Sequence, residues 1–237
     1  TRTYNSRIGH PEASLFGGGW TSNLDERALY DHTDFIYLSR PGGRGKNFTP
    51  FGGGIYRDTT THGPMVGYQA VEYIKKNADG TYTYYGTDFG TEKYSAQGLI
   101  TEIKNAQGVK WNFAYSLGKL QSVTHSSGQS IQLNWVNNRL ASVVDPAGNV
   151  YSYTYLTYTN GSYSTYYLQS ATLPGSPATT VTYHYLNNAL LTGKSFNGQR
   201  YSYFEYSPGS MATASYHAGN VERFTFAYQF DGNGWMT

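Results

Sequence analysis

The chain has no cysteine, which excludes a disulfide framework, thiolate catalysis and thiolate-bound zinc. Charge is scarce as well. Asp, Glu, Lys and Arg make up 14% of the residues, against about 25% in an ordinary globular protein. The 17 Lys+Arg and 15 Asp+Glu leave a formal net charge of +2, too small an excess to argue for nucleic acid or an anionic membrane as partner. No apolar run approaches the ~20 residues of a membrane-spanning helix. No signal peptide is visible at Thr1, and no stretch carries the 3.6-residue apolar period of a helix.

What the chain does have is 25 Tyr and 28 Gly. Tyrosine offers a flat apolar body with a polar tip, suited to strands packed on one side and wet on the other. Glycine supplies turns that need positive φ. Together they predict many short strands joined by tight turns, an all-β fold.

A tandem repeat of about 21 residues dominates the second half. Its aromatic anchors are Tyr94, Tyr115, Trp135, Tyr155, Tyr185, Tyr206 and Tyr228, separated by 21, 20, 20, 30, 21 and 22 positions. The strand ending at each anchor alternates. Val109, Trp111, Phe113 and Tyr115 share one face and Lys110 and Asn112 the other; Ile131, Leu133 and Trp135 alternate with Gln132 and Asn134. Tyr151, Tyr153 and Tyr155, Val181, Tyr183 and Tyr185, and Phe224, Phe226 and Tyr228 repeat the pattern. Successive side chains of a strand point to opposite faces, so each strand has one aromatic and one polar face. The aromatic face is read as buried, so replacing Trp111 or Trp135 by Ala is expected to cost about 3–5 kcal/mol.

Turn signals occur twice per repeat. Asp145-Pro146-Ala147-Gly148 marks one class and Leu117-Gly118 and Asn137-Asn138 the other. Two strands per unit make the array a long antiparallel strip of tandem β-hairpins, which twist obliges to curl. The long unit between Tyr155 and Tyr185 holds an insertion around Thr157–Thr165, read as a longer hairpin. Residues 1–93 are a less regular β-rich region and residues 94–237 the array. Short strands are expected at Asp34–Leu38, Val66–Lys75 and Thr81–Tyr85, with a hairpin turn at Asn77–Gly80. The chain opens on Thr rather than Met and reads as a piece of a longer protein.

Few residues suggest chemistry. His10, His32, His62, His125, His184 and His217 lack metal-ligand spacing, and His184 and His217 read as solvated. The loop Arg40-Pro41-Gly42-Gly43-Arg44-Gly45-Lys46 fails the phosphate-loop pattern and reads as a hairpin tip. Gly17-Gly18-Gly19-Trp20 reads as a tight turn with Trp20 as a packing anchor. Asp25, Glu26, Asp31, Asp34 and Asp58 are scattered, without a paired acid and base. No nucleophile elbow occurs. No catalytic, cofactor-binding or metal-binding residue is assigned, and no enzyme activity is expected.

The stretch Asn138-Arg139-Leu140-Ala141-Ser142-Val143-Val144-Asp145-Pro146-Ala147-Gly148-Asn149, followed by Tyr151-Ser152-Tyr153-Thr154-Tyr155, resembles the YD repeat of Rhs (rearrangement hot spot) proteins. Gly118-Lys119-Leu120 and Gly98-Leu99-Ile100 are weaker copies. Arg2-Thr3-Tyr4-Asn5-Ser6 and Leu15-Phe16-Gly17-Gly18-Gly19-Trp20-Thr21-Ser22-Asn23 are similar to the segment that precedes the repeats in bacterial Rhs toxins. The Asp of the Tyr-Asp pair is absent after the anchors, and the family's self-cleavage segment and variable toxic domain are not present.

The resemblance implies a strip that curls into part of a hollow shell around a C-terminal toxin. It implies a secreted effector, made in the bacterial cytoplasm and used in type VI or contact-dependent competition or in host attack. Its partners would be the rest of the shell, the toxin domain, and a secretion spike or chaperone. The alternative reading is an aromatic β-repeat module that binds carbohydrate or a cell-surface partner.

Overall fold

The computed structural model describes residues 2–5, 14–24, 28–40, 44–58, 72–160, 163–186 and 190–229. These form strands and turns, with no helix. The chain divides into two compact units, Thr1–Val150 and Tyr151–Thr237. The division falls within the run of repeats.

The first unit begins with a two-stranded antiparallel ribbon, β1 (Arg2–Tyr4) and β2 (Trp20–Ser22). Trp20 is buried, and the Tyr4 ring meets it edge-on at 5.5 Å. Gly17 and Gly19 take positive φ, so this segment is the tight turn and aromatic anchor expected.

An antiparallel meander follows: β3 (Leu29–Asp31), β4 (Ile36–Arg40), β5 (Arg44–Gly52), β6 (Ile55–Asp58), β7 (Tyr73–Lys76), β8 (Tyr82–Tyr85), β9 (Thr91–Tyr94) and β10 (Ile100–Lys104). It rolls on itself. Ala28, just before β3, bridges Leu99 in the β9–β10 turn, and the Leu29 N–H donates to the Gly98 carbonyl at 2.9 Å. The roll encloses Ile36, Leu38, Phe48, Ile74 and Ile100, all essentially inaccessible, together with Tyr94 at 1% exposure. Strand β7 covers the end of the expected Val66–Lys75 strand; Val66–Val71 lie outside the described residues. The Asn77–Gly80 hairpin turn forms as expected, with Asn77 N–H donating to the Thr81 carbonyl at 2.8 Å.

From the roll the meander continues as β11 (Lys110–Ser116), β12 (Lys119–His125), β13 (Ser130–Val136) and β14 (Arg139–Val144). The second unit holds β15 (Val150–Asn160), β16 (Tyr163–Leu173), β17 (Thr179–Tyr185), β18 (Leu191–Phe196), β19 (Gln199–Tyr206), β20 (Ala212–His217) and β21 (Val221–Thr225), each antiparallel to the next. The insertion after Tyr155 is the far end of the β15–β16 hairpin, whose strands are 11 residues each.

Burial refines the two-faced strand pattern. In β11 and β13, Asn112, Ala114, Gln132 and Asn134 are exposed, while Trp111, Tyr115, Ile131 and Trp135 are half-buried around buried Phe113 and Leu133. The tryptophans are therefore only partly covered, and their truncation costs less than full burial implies. At Phe224 the aromatic face is 65% exposed.

Candidate functional site

The repeating structural device sits at the anchors. Each of Tyr94, Tyr115, Trp135, Tyr155, Tyr185 and Tyr206 lies at a β-bulge, opposite Ile100, Leu120, Leu140, Leu168, Leu191 and Ala212 respectively. Five of those six opposing residues are buried, more deeply than most of the aromatics they face. A bulge adds a residue to one strand, interrupts the ladder and sharpens the local twist. It recurs at the same place in each of these repeats.

The interrupted ladder leaves backbone carbonyls that need donors. The next anchor supplies one. Trp135 Nε1 donates to the Leu120 carbonyl at 2.8 Å, and the Tyr185, Tyr206 and Tyr228 hydroxyls donate to the carbonyls of Leu168, Leu191 and Ala212 at 2.6, 2.7 and 2.6 Å. Each acceptor is the residue that faces the preceding anchor. The chemistry explains the choice of Tyr or Trp here: the position needs an aromatic body and a polar tip, and Phe has only the body.

The turns obey an equally simple rule. In the Asp145–Asn149 hairpin, Asp145 N–H donates to the Asn149 carbonyl and Gly148 N–H to the Asp145 carbonyl, with Gly148 at φ 83°. This is a three-residue loop, a turn closed by a left-handed residue. The Asp145 carboxylate accepts from the N–H groups of Ala147 and Asn149 at 2.9 Å. Asn105, Ser95, Ser207 and His125 hold the same place with their own side-chain acceptors. Leu117-Gly118, Asn137-Asn138 and Asn197-Gly198 are two-residue turns with both residues at positive φ, the hairpin geometry that matches strand twist.

Inside the roll lies a charged network that spans distant strands. Arg40 Nη1 on β4 meets Glu92 Oε2 on β9 at 2.6 Å, and the Tyr94 hydroxyl donates to the same oxygen at 2.5 Å. The Arg40 guanidinium covers the Tyr84 ring at 4.1 Å, and the Tyr84 hydroxyl donates to Glu72. Lys46 completes the chain, 2.6 Å from Glu72 and 3.5 Å from Asp58. Burial and the Glu72 carboxylate push the Tyr84 phenol far above its ordinary value, so it stays protonated and donating. Burial opposes charge on Arg40, but Glu92, Tyr94 and Tyr84 together outweigh it and raise the guanidinium above its ordinary value. The network ties β4, β5 and β6 to β9 and to Glu72.

The other residues singled out in the sequence take ordinary roles. Asp31 pairs with Lys76 at 2.7 Å and accepts from the Tyr82 hydroxyl at 2.7 Å. Of the glycine-rich loop, Arg40 belongs to the ion pair above, and Pro41–Gly43 lie outside the described residues, as do His10, His62, Asp25 and Glu26. His217 is 3.3 Å from Glu222. His184 departs from the expectation of a solvated side chain. It is half-buried, with Nε2 2.8 Å from the Ser195 hydroxyl, and burial and nearby Arg200 lower its pKa. Among the described residues no group of three or more His, Asp and Glu side chains comes together to hold a metal ion, and no helix is long and apolar enough to cross a membrane. No protein-family model and no curated protein matches the chain.

Proposed function

We propose that the chain is a non-catalytic wall segment of an Rhs-type toxin shell, which encloses a C-terminal toxic domain for delivery in interbacterial competition or host attack. The resemblance of Asn138–Tyr155 to the YD repeat suggests the family. The observation that carries the reading is the anchor-to-carbonyl link from Trp135 to Leu120 and from Tyr185, Tyr206 and Tyr228 to Leu168, Leu191 and Ala212. At these four places it fastens a strand to the preceding hairpin, and a link of this kind can be repeated along a wall. On this reading the protein is a secreted effector made in the bacterial cytoplasm, its partners are the remaining shell, the toxin and a spike or chaperone, and no residue is catalytic. Sequencing the native gene beyond the codon for Thr237 tests it. Many further repeats leading into an unrelated terminal domain support a shell; a frame that stops within a repeat or two rules one out.

One observation favours the second reading, a module for carbohydrate or a cell-surface partner. No charged residue occurs from Val150 to Leu173, and this long hairpin displays Tyr158 at 39% and Tyr166 at 37% exposure. Exposed tyrosines among small hydroxyl residues make an adaptable, uncharged contact surface. Affinity electrophoresis in neutral polysaccharide, with a Tyr158→Ala/Tyr166→Ala chain as control, tests this reading. Retardation lost in the variant favours it; equal mobility with and without polysaccharide removes it.

A further inference from the structure

Three neighbouring strands of the second unit bring a group of polar side chains onto one sheet face. Cross-strand pairs share a face. The pairs His184–Gly193 and Gly193–Tyr203 make one row across β17, β18 and β19, and the pairs Thr182–Ser195 and Ser195–Arg200 make the next. The middle of the first row is glycine, so the sheet face has a notch there. His184, Ser195, Arg200 and Tyr203 surround it.

The notch holds the Arg200 side chain in place. A Cβ on Gly193 would lie 1.9 Å from the Ser202 carbonyl oxygen and 3.0 Å from Arg200 Nη2, so only glycine admits this packing. Arg200 Nη2 donates to the Thr192 carbonyl at 2.7 Å and Nε to the Ser202 carbonyl at 3.0 Å. The guanidinium also covers the Tyr203 ring at 4.5 Å. It is thus a fixed fork on a rigid sheet, and none of its contacts is a carboxylate. The acid closest along the same hairpins, Glu205, is engaged by Arg223 at 2.9 Å and by the Tyr216 hydroxyl.

The rest of the group is also suited to negative charge. Ser195 is 4% exposed and its hydroxyl is 2.8 Å from His184 Nε2. When His184 is protonated, Nε2–H donates to the Ser195 oxygen and the Ser195 O–H is left to donate elsewhere. The groups that register places on His184's face of the neighbouring strands are Ser170 on β16, Gly193 and Ser195 on β18, and Arg200 and Tyr203 on β19. Lys194 lies on the opposite face, 5.3 and 5.2 Å from the Phe196 and Tyr201 rings. Among the described residues, no carboxylate contacts this group.

We propose that His184, Ser195 and Arg200 form a binding site for a tetrahedral oxyanion, a phosphoryl or sulfate group. The guanidinium fork and the Ser195 hydroxyl bond its oxygens, and the anion favours a protonated His184. Its affinity therefore rises as pH falls. The site stands independently of the shell reading.

The test is NMR of the His184 ring in the 237-residue chain at constant ionic strength. Inorganic phosphate and sodium sulfate are titrated in separate arms, with sodium acetate and chloride as controls. The expected result is a saturable shift of the His184 signals with phosphate and sulfate, and an upward move of its titration midpoint. Arg200→Gln weakens this binding at least tenfold. Ser195→Ala, which leaves the guanidinium clasp intact, weakens it several-fold and serves if the arginine variant does not fold. Shifts no larger than those in chloride, an equal response to acetate, or unchanged affinity in Ser195→Ala each overturn the proposal.

Discussion

Gly98 and Leu29 meet backbone to backbone where the first unit closes. The Leu29 N–H donates to the Gly98 carbonyl at 2.9 Å, and a Cβ on Gly98 would stand 1.8 Å from the Leu29 carbonyl oxygen. Gly98 also takes φ 80°. The glycine therefore serves two ends, turning the β9–β10 hairpin and letting the first strand of the roll approach it.

Gly98→Ala should destabilise the first unit by about 3 kcal/mol or more, because the clash is with backbone and adds to the strain of positive φ. Gly128→Ala is the matched control. Gly128 sits at φ 90° in an equivalent turn with open space around it, so only the strain, about 1 kcal/mol, is expected. Urea unfolding of both variants measures the difference; equal losses would show that the close approach to Leu29 contributes nothing.

The Arg40–Glu92 pair gives a second expectation. Both side chains are largely buried, at 16% and 8% exposure. Removing one partner strands the other charge, so Glu92→Gln should cost about 3–5 kcal/mol. The double variant Arg40→Met/Glu92→Leu should cost less than either single change, which a double-mutant cycle of denaturation midpoints reveals.

The anchor ladder predicts a hydroxyl effect separable from packing. Tyr206→Phe keeps the ring but removes the hydrogen bond to the Leu191 carbonyl, and should cost about 1 kcal/mol. Tyr158→Phe, at an exposed position, should stay within about 0.5 kcal/mol of the parent. Trp135→Ala should cost about 2 kcal/mol rather than the larger loss expected of a fully buried tryptophan, since part of its surface remains wet. Chemical denaturation followed by circular dichroism reads all three.

Acid sensitivity follows from Asp31. Burial raises its pKa, but hydrogen bonds from Lys76 and Tyr82 outweigh burial and leave it below the ordinary carboxylate value. A depressed carboxyl contributes stability that is fully present above its unfolded pKa of about 3.9 and is lost as pH falls through the folded value. Glu102, held down by Lys93 and Lys110 against burial, acts in the same direction. The thermal midpoint should therefore drop below about pH 4, and less steeply in Asp31→Asn. Identical acid profiles would remove Asp31 from the account.

Local order was legible in the sequence and long-range closure was not. Alternation at Trp111–Tyr115 and the Asp145–Gly148 turn announce their strands and loop, because side-chain period and turn chemistry are local properties. The anchors were visible as aromatics, but their bonds to Leu120, Leu168 and Leu191 depend on bulges that no residue pattern marks. Arg40 and Glu92 are 52 positions apart, and nothing in either neighbourhood signals the other. His184, Ser195 and Arg200 come from three strands, and only register places them around Gly193.

The central claim is tested most directly by limited proteolysis of the full-length product of the native gene. A shell predicts that the domain encoded beyond the repeats survives protease as long as the sheet is intact, and is digested once paired substitutions such as Tyr185→Phe with Tyr206→Phe loosen the wall. Digestion of that domain at the same rate in the intact protein and in isolation would contradict it.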